Sequence, residues 1–287
     1  MANIRLIRRR IRGVQSIAKI TRAMEMIATS KMRRAQERGL AGRPYAEKIM
    51  QVISDLAAIP GDQALHPLLQ RRPASRIAIV HITPDRGLCG GLIANINRNA
   101  GAFLMKQQPA VSLTCVGRKG LDSMRRLGRE IRAEFTWLGD QPSLLDTLPI
   151  SRIIIDDYTS GYIDAAYLSY TQFVSTLTQK PVMQQVLPVE PAVIPGGENV
   201  DYIYEPDAKD VLAGLLPRFV EMEIYHAILE AIASEQSARM VAMRNATDNA
   251  KELVDDLTLV YNKARQEAIT KELLDITGGV AALSAEG

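Results

Sequence analysis

Aromatic side chains are scarce in this sequence, at 5% of 287 residues with a single tryptophan. The Arg-rich residues 1–43 contain no aromatic side chain, so that segment lacks the stacking platform on which single-stranded nucleic acid is held. Cysteine is limited to Cys89 and Cys115, which carry no metal-ligand spacing. Two free thiols in a chain of this size suggest a reducing compartment. The three histidines, His66, His81 and His226, lie far apart, and none forms a recognisable Cys-His arrangement. No run approaches 18 apolar residues, so no segment is expected to span or insert into a membrane. No pair of carboxylates has a convincing acid/base arrangement; Asp156-Asp157 and Asp255-Asp256 read as solvated helix faces. Neither a catalytic residue nor a cofactor nor a metal is therefore expected.

What is plentiful is Ala, Ile, Leu and Met, within 47% hydrophobic and 23% charged residues. That bias favours helices packed through small and aliphatic side chains. The net charge of +3 hides an asymmetry. Residues 1–43 hold twelve Lys or Arg against Glu25 and Glu37, whereas residues 205–287 hold fifteen acids against eight bases. Ends of opposite sign suggest that they lie side by side. The basic N-terminal segment could bind nucleic acid through phosphates. Its arginines alternate with an isoleucine seam, however, and an acidic partner is the better match. The Arg-rich residues 1–12 could also suggest a transit peptide. Ile4, Ile7, Ile11 and Val14 keep step with Ile17 and Ile20 beyond them, so this stretch reads as mature protein.

Residues 1–58 form one long helical pattern. Ile4, Ile7, Ile11, Val14, Ile17, Ile20, Met24 and Ile27 recur at steps of three and four, a narrow seam as in a coiled coil. Pro44 is expected to kink the helix or break it near Arg43. A linker at 59–75 is followed by an α/β domain at 76–190, with strands expected at 76–82, 110–116, 130–137, 165–173 and 181–188. Helices are expected at 90–107, 119–127 and 144–161. A connecting loop at 191–206 leads to a C-terminal helix at 207–287. Its inward residues are expected to be Ala227, Ala231, Ala238, Ala242, Ala246, Ala250, Leu253, Leu257, Val260 and Ala264. At helical rise the terminal helices would reach about 80 Å and about 110 Å, and the obvious partner for each is the other. The expected fold is therefore an antiparallel coiled coil of the chain ends with an inserted Rossmann-like α/β domain.

The most enzyme-like segment is the Gly-rich turn Pro84–Gly91 (PDRGLCGG), with Asp85, Arg86, Gly87, Cys89 and Gly90. Such a turn can cradle phosphate with backbone N–H groups. It lacks the Lys-Ser/Thr of a P-loop and the G-x-G-x-x-G of a dinucleotide site. A tight strand-to-helix turn that needs glycine for its backbone angles is the simpler reading.

Five stretches, in order along nearly the whole chain, resemble the gamma subunits of rotary ATP synthases. They are KITRAMEMIATSKMRRAQ at 19–36, DRGLCGG at 85–91, YIYEPD at 202–207, ASEQSARMVAMRNATDN at 233–249 and YNKARQEAITKELLDITGGVAAL at 261–283. Departures are mild: Thr83-Pro84-Asp85 stands where Ser-Asp is usual, and Thr277-Gly278-Gly279-Val280 replaces a more Ala-rich ending. No cysteine-bearing insertion lies between Pro181 and Glu205, which argues against thiol regulation.

The resemblance implies a non-catalytic rotor whose paired helices stand inside a hexamer of alpha and beta subunits. Its globular foot would sit on the membrane c-subunit ring beside the epsilon subunit. Arg239, Gln266, Thr270, Glu272 and Met24 would contact the catalytic subunits. Arg43, Tyr202, Tyr204 and Glu205 would contact the c ring. A bacterial protein held peripherally on the cytoplasmic face of the plasma membrane is implied. With Met24 placed opposite Ser237–Met240, Met1 would meet about Asn262. The last two dozen residues would then project alone, by about 35 Å.

Overall fold

The computed structural model describes residues 4–57, 66–107, 109–190, 205 and 207–285. They form two compact units, one of residues 1–27 with 240–287 and the other of residues 28–239. Helices α1 (Ile4–Ala57) and α5 (Ala208–Ala285) each contribute to both.

In the first unit the two helices run antiparallel and meet along a seam that repeats every seven residues. On α1 it comprises Ile7, Ile11, Val14, Ala18, Thr21 and Glu25; on α5 it comprises Met243, Thr247, Ala250, Val254, Leu257, Tyr261 and Ala264. The alternation of steps of four and three is the spacing that keeps two helices in contact over length. The hydroxyls of Thr21 and Thr247 lie 2.7 Å apart, so facing positions add up to 268. The sum expected from the sequence is about 263, so the pairing is displaced by about five residues. Ile4 accordingly faces Ala264, and α5 is exposed at every position from 269 to 277.

The expected seam holds only as far as Val14. Ile17, Ile20 and Ile27 are 53%, 58% and 55% exposed, because the heptad step passes to Ala18, Thr21 and Glu25 instead. Leu253 and Val260 on α5 are likewise exposed, not inward. Replacing Ile20 with Gln should therefore shift the stability of the isolated chain by no more than about 0.5 kcal/mol, as at an ordinary surface position. A thermal melt showing a loss above about 1 kcal/mol would place Ile20 in a packed environment after all.

The second unit is built on a five-stranded sheet in the order β3-β2-β1-β4-β5. Strands β1 (Arg76–Ile82), β2 (Ala110–Val116), β3 (Ile131–Phe135) and β4 (Ala165–Phe173) run parallel. Strand β5 (Gln179–Leu187) pairs antiparallel with β4 at the edge. Pro181 sits within β5, which an edge strand tolerates because one side of its backbone needs no partner.

Helices α2 (Leu92–Lys106), α3 (Arg118–Arg126) and α4 (Leu144–Thr159) complete the unit. Both faces of the sheet are covered, so β1 reads as a continuous apolar run. Ala78, Val80 and Ile82 join a core with Ile150, Ile154 and Tyr158 of α4, Ile53 of α1 and Leu216, Val220 and Ile224 of α5. Ile79 joins the opposite core with Leu104 of α2, Leu113 and Cys115 of β2 and Met124 of α3.

Two features of α1 in this unit add to the sequence expectation, and the break that was one of its alternatives is absent. The helix runs unbroken through Pro44. Pro44 and Leu40, whose carbonyl loses its N–H partner, are both exposed, so water can take that carbonyl. Gly42 is a point of close approach as well as a weak helix former. A Cβ there would lie 2.7 Å from the imidazole of His226.

Buried polar groups of the sheet are internally satisfied. His81 is fully buried; its Nε2–H donates to Asn97 Oδ1 at 2.9 Å, and its Nδ1 accepts from the Ser169 hydroxyl at 3.0 Å. Burial holds the imidazole down to about 4, with the Asn97 bond acting in the other direction.

Candidate functional site

In parallel sheets of this kind ligands bind beyond the carboxyl ends of the strands, where the strand order reverses. Here that place is the end of β1, between β2 and β4, and the Gly-rich turn emerges from it. Its geometry is fixed from both sides. Thr83 N–H donates to Val116 O at 2.8 Å, Gly117 N–H to Phe135 O at 2.8 Å, and Lys119 N–H to Pro84 O at 3.1 Å. The Thr83 hydroxyl accepts from Gly120 N–H at 2.7 Å.

Asp85 decides what the turn does. One of its carboxylate oxygens accepts from Arg118 N–H at 2.9 Å, at the start of α3, and the other from Trp137 N–H at 3.1 Å. The chain's own carboxylate thus caps the start of α3 and ties the turn to it. The small cavity at this sheet end, about 50 Å³, falls far below the size of a nucleotide pocket. The turn joins β1 to α2 and is tied by Asp85 to the backbone at Arg118 and Trp137.

The other members of the turn bear this out. Leu88 and Gly90 adopt φ of 65° and 59°, which turns the chain toward α2. Leu88 is left 63% exposed while Cys89 is buried. Burial, with a contribution from Glu235, pushes the Cys89 thiol up, away from nucleophilic character. Burial likewise pushes Cys115 up to about 11. The Arg86 guanidinium lies 5.6 Å from the Trp137 ring centre, and Gly87 O accepts from Arg239 at 3.1 Å.

That last bond bears on the contacts expected of Arg239. Its guanidinium also pairs with Glu235 at 2.6 Å, and both side chains are nearly enclosed, so Arg239 serves to tie α5 to the turn. Met24 is half-buried in the two-helix unit, and the observed register sets it level with Arg244 instead of Arg239. Gln266, Thr270 and Glu272 are all exposed on the part of α5 that runs beyond or at the end of the pairing. Glu205 is exposed. Tyr202, Tyr204 and the side chain of Arg43 lie outside the described residues.

The sequence reading missed a polar pair of layers in the seam. Glu25, 5% exposed, accepts from Arg244 Nε at 3.0 Å and from Arg22 Nη1 at 2.8 Å, directly beside the Thr21–Thr247 layer. Burial pushes the Glu25 carboxyl up, and the two guanidiniums more than reverse this, holding it below the usual carboxylate range. The signal was present as Thr21 seven residues from Val14 and Glu25 seven from Ala18. Among the described residues no group of three or more His, Cys, Asp or Glu could hold a metal ion. No described helix is long and apolar enough to cross a membrane.

The chain matches a family model described as ATP synthase over residues 3–283. It is 68% identical over 285 residues to the ATP synthase gamma chain of Dehalococcoides mccartyi, covering 99% of this chain and all of that one. It is 50% identical over 288 residues to the ATP synthase gamma chain of Roseiflexus castenholzii, covering 99% of each. In fold it is similar to a chain of the Euglena gracilis mitochondrial ATP synthase in rotational state 3. That match has a TM-score of 0.69 at 20% identity and covers 98% of this chain and 95% of that one. A chain from the central stalk and c ring of the Tetrahymena thermophila mitochondrial enzyme gives a TM-score of 0.62 at 23% identity, covering 79% and 99%. With matches of this extent along almost every residue, the chain belongs to the ATP synthase gamma chain family.

Proposed function

We propose that this chain is the central-stalk rotor of a bacterial ATP synthase and carries no chemistry of its own. Its two-helix unit stands within the alpha and beta subunits. The α/β unit rests on the membrane c ring beside the epsilon subunit, on the cytoplasmic face of the plasma membrane. Ion flow, of protons, turns the ring, and the shaft passes that rotation to the catalytic sites of the head.

The observation that carries this reading is the surface left uncovered. Ile17, Ile20 and Ile27 form an apolar stripe outside the closed seam, and Ile269, Leu273, Leu274 and Ile276 are exposed on α5. Exposed apolar residues grouped in this way mark a surface that meets other subunits. In the turn that most resembles an active site the Asp85 carboxylate is engaged by the Arg118 and Trp137 amides, and both cysteine thiols are pushed up, which supports a non-catalytic role.

Contacts to the head are assigned to Gln266, Thr270 and Glu272, with Met24 flanking the seam; Arg239 acts from inside by fixing the turn. Contacts to the c ring are assigned to Arg43, Tyr202, Tyr204 and Glu205. A turning shaft needs contacts that form and break at each step, and hydrogen bonds worth about 0.5–1.5 kcal/mol net each meet that condition.

The combined variant Gln266→Ala, Thr270→Ala, Glu272→Ala should leave the subunit composition of the purified complex intact. It should lower ATP-driven ion pumping several-fold more than ATP hydrolysis. Unchanged pumping in a fully assembled complex would overturn the assignment. Disulfide crosslinking from Glu205→Cys to c subunits tests the foot in the same preparation.

A further inference from the structure

Most of the seam of the two-helix unit does not by itself select one alignment. Ile7, Ile11, Val14 and Ala18 face Tyr261, Leu257, Val254 and Ala250 in the observed register. A slide of seven residues either way again sets aliphatic and small residues against one another. The heptad repeat guarantees this, since every seventh position lies on the same face. Within this unit, something other than apolar shape has to fix the register.

We propose that the two adjoining polar layers, Thr21–Thr247 and Glu25–Arg244, are the register key of this helix pair. Each layer excludes a different error. Sliding α5 by seven in one direction puts Ser237 where Arg244 stands, so Glu25 stays buried without its cross-helix cation. Arg22 of its own helix remains, but losing one of its two guanidinium partners leaves the buried carboxylate only partly compensated, which is costly. Sliding it in the other direction brings Lys251 to Glu25, so the charge alone would accept that register. It also sets Thr21 against Val254, which breaks the 2.7 Å hydroxyl pair.

The Thr247 hydroxyl donates to Met243 O at 2.8 Å and the Thr21 hydroxyl reaches Ile17 O at 3.1 Å. Each hydroxyl has a single proton, so in the observed register one of the two gives its proton across the seam; in a slid register both can donate within their own helices, and what the slide removes is the cross-helix bond. Two layers of different chemistry thus leave one alignment in which both are satisfied. A single buried polar residue that specifies register at some expense of stability is a known property of coiled coils. Here the specification is divided between a neutral pair and a charged one. It holds whether or not the chain turns inside a catalytic head.

The experiment uses the full-length chain with Ile11→Cys paired in turn with Leu257→Cys, Ala250→Cys or Ala264→Cys. These three pairs report the observed register, the slide that loses Arg244 and the slide that gains Lys251. Disulfides are formed by mild oxidation and mapped by mass spectrometry, which separates them from the native Cys89 and Cys115. With the key intact, the 11–257 bond should dominate. With Thr21→Val and Thr247→Val, the 11–264 bond should rise at least about tenfold relative to 11–257, while 11–250 stays low; a tenfold change corresponds to about 1.4 kcal/mol of lost discrimination. Adding Glu25→Leu should let 11–250 rise as well. If that triple variant loses its helical circular dichroism, the threonine double variant decides alone. Unchanged crosslink ratios in the double variant, or equal gains in both shifted bonds, would overturn the proposal.

Discussion

Gly117→Ala should cost this protein a large part of its stability and lower its melting temperature by about 5–15 °C. Gly117 holds φ of 90°, in the left-handed region that residues with a Cβ adopt only under strain. An added Cβ would lie 1.8 Å from the carbonyl oxygen of Thr83. That oxygen belongs to backbone and cannot swing away as a side chain would. Thr83 is pinned to Val116 and Gly117 to Phe135, so relief would have to separate the ends of β1, β2 and β3. Backbone strain of roughly 1–2 kcal/mol and overpacking of roughly 1–3 kcal/mol fall on one junction. Gly101→Ala is the matching control. It lies in α2 with nothing within 4 Å of its built Cβ, and should raise stability by about 0.5–1 kcal/mol. Equal melting temperatures for the two variants would show that the Thr83–Gly117 contact is not the constraint described.

The second large effect should appear on acidification. His81 is buried neutral and held down to about 4 from an ordinary value of 6.5. The sign depends on which state takes the proton first. Above pH 6.5 neither folded nor unfolded imidazole is charged, and the contribution is complete. Between 6.5 and 4 the unfolded chain binds the proton while the folded chain resists it, so stability falls with falling pH. Across that interval the loss approaches about 3 kcal/mol at 1.36 kcal/mol for each pKa unit. Urea midpoints measured from pH 7 to 4 should therefore fall more steeply for the native chain than for His81→Gln. The difference between the two curves isolates His81 from the carboxylates that titrate in the same range. Parallel curves would mean that the imidazole is protonated within the fold.

The α/β unit was largely legible in the sequence because its strands are short apolar runs between turn residues, β-branched in β1. The runs at 76–82, 110–116 and 165–173 coincide with β1, β2 and β4. The long helices were legible in kind but not in facing. Ile17, Ile20 and Ile27 carry the hydrophobicity by which a seam is found, yet the seam passes through Ala18, Thr21 and Glu25. Hydrophobicity predicts burial only when one surface is buried. Here an apolar stripe remains beside the one the chain closes for itself. At Pro44 the helix does not break, and the Leu40 carbonyl that loses its N–H partner is exposed to water. Asp85 could be located but not interpreted. That its carboxylate serves Arg118 and Trp137, 33 and 52 residues away in the chain, depends on the sheet having formed.

The exposed stretch of α5 from 269 to 277 has a thermodynamic consequence for how firmly the chain can be held. A helix of this length without lateral packing is marginal in water. Fixing its backbone in one conformation costs roughly 1–2 kcal/mol per residue, and flanking helix alone offsets only part of that. Whatever encloses the stretch must supply the remainder before any attraction appears as affinity. Wide contact along these residues is therefore compatible with weak net retention. The surrounding surface can touch Ile269, Leu273 and Ile276 in turn and still release each of them readily.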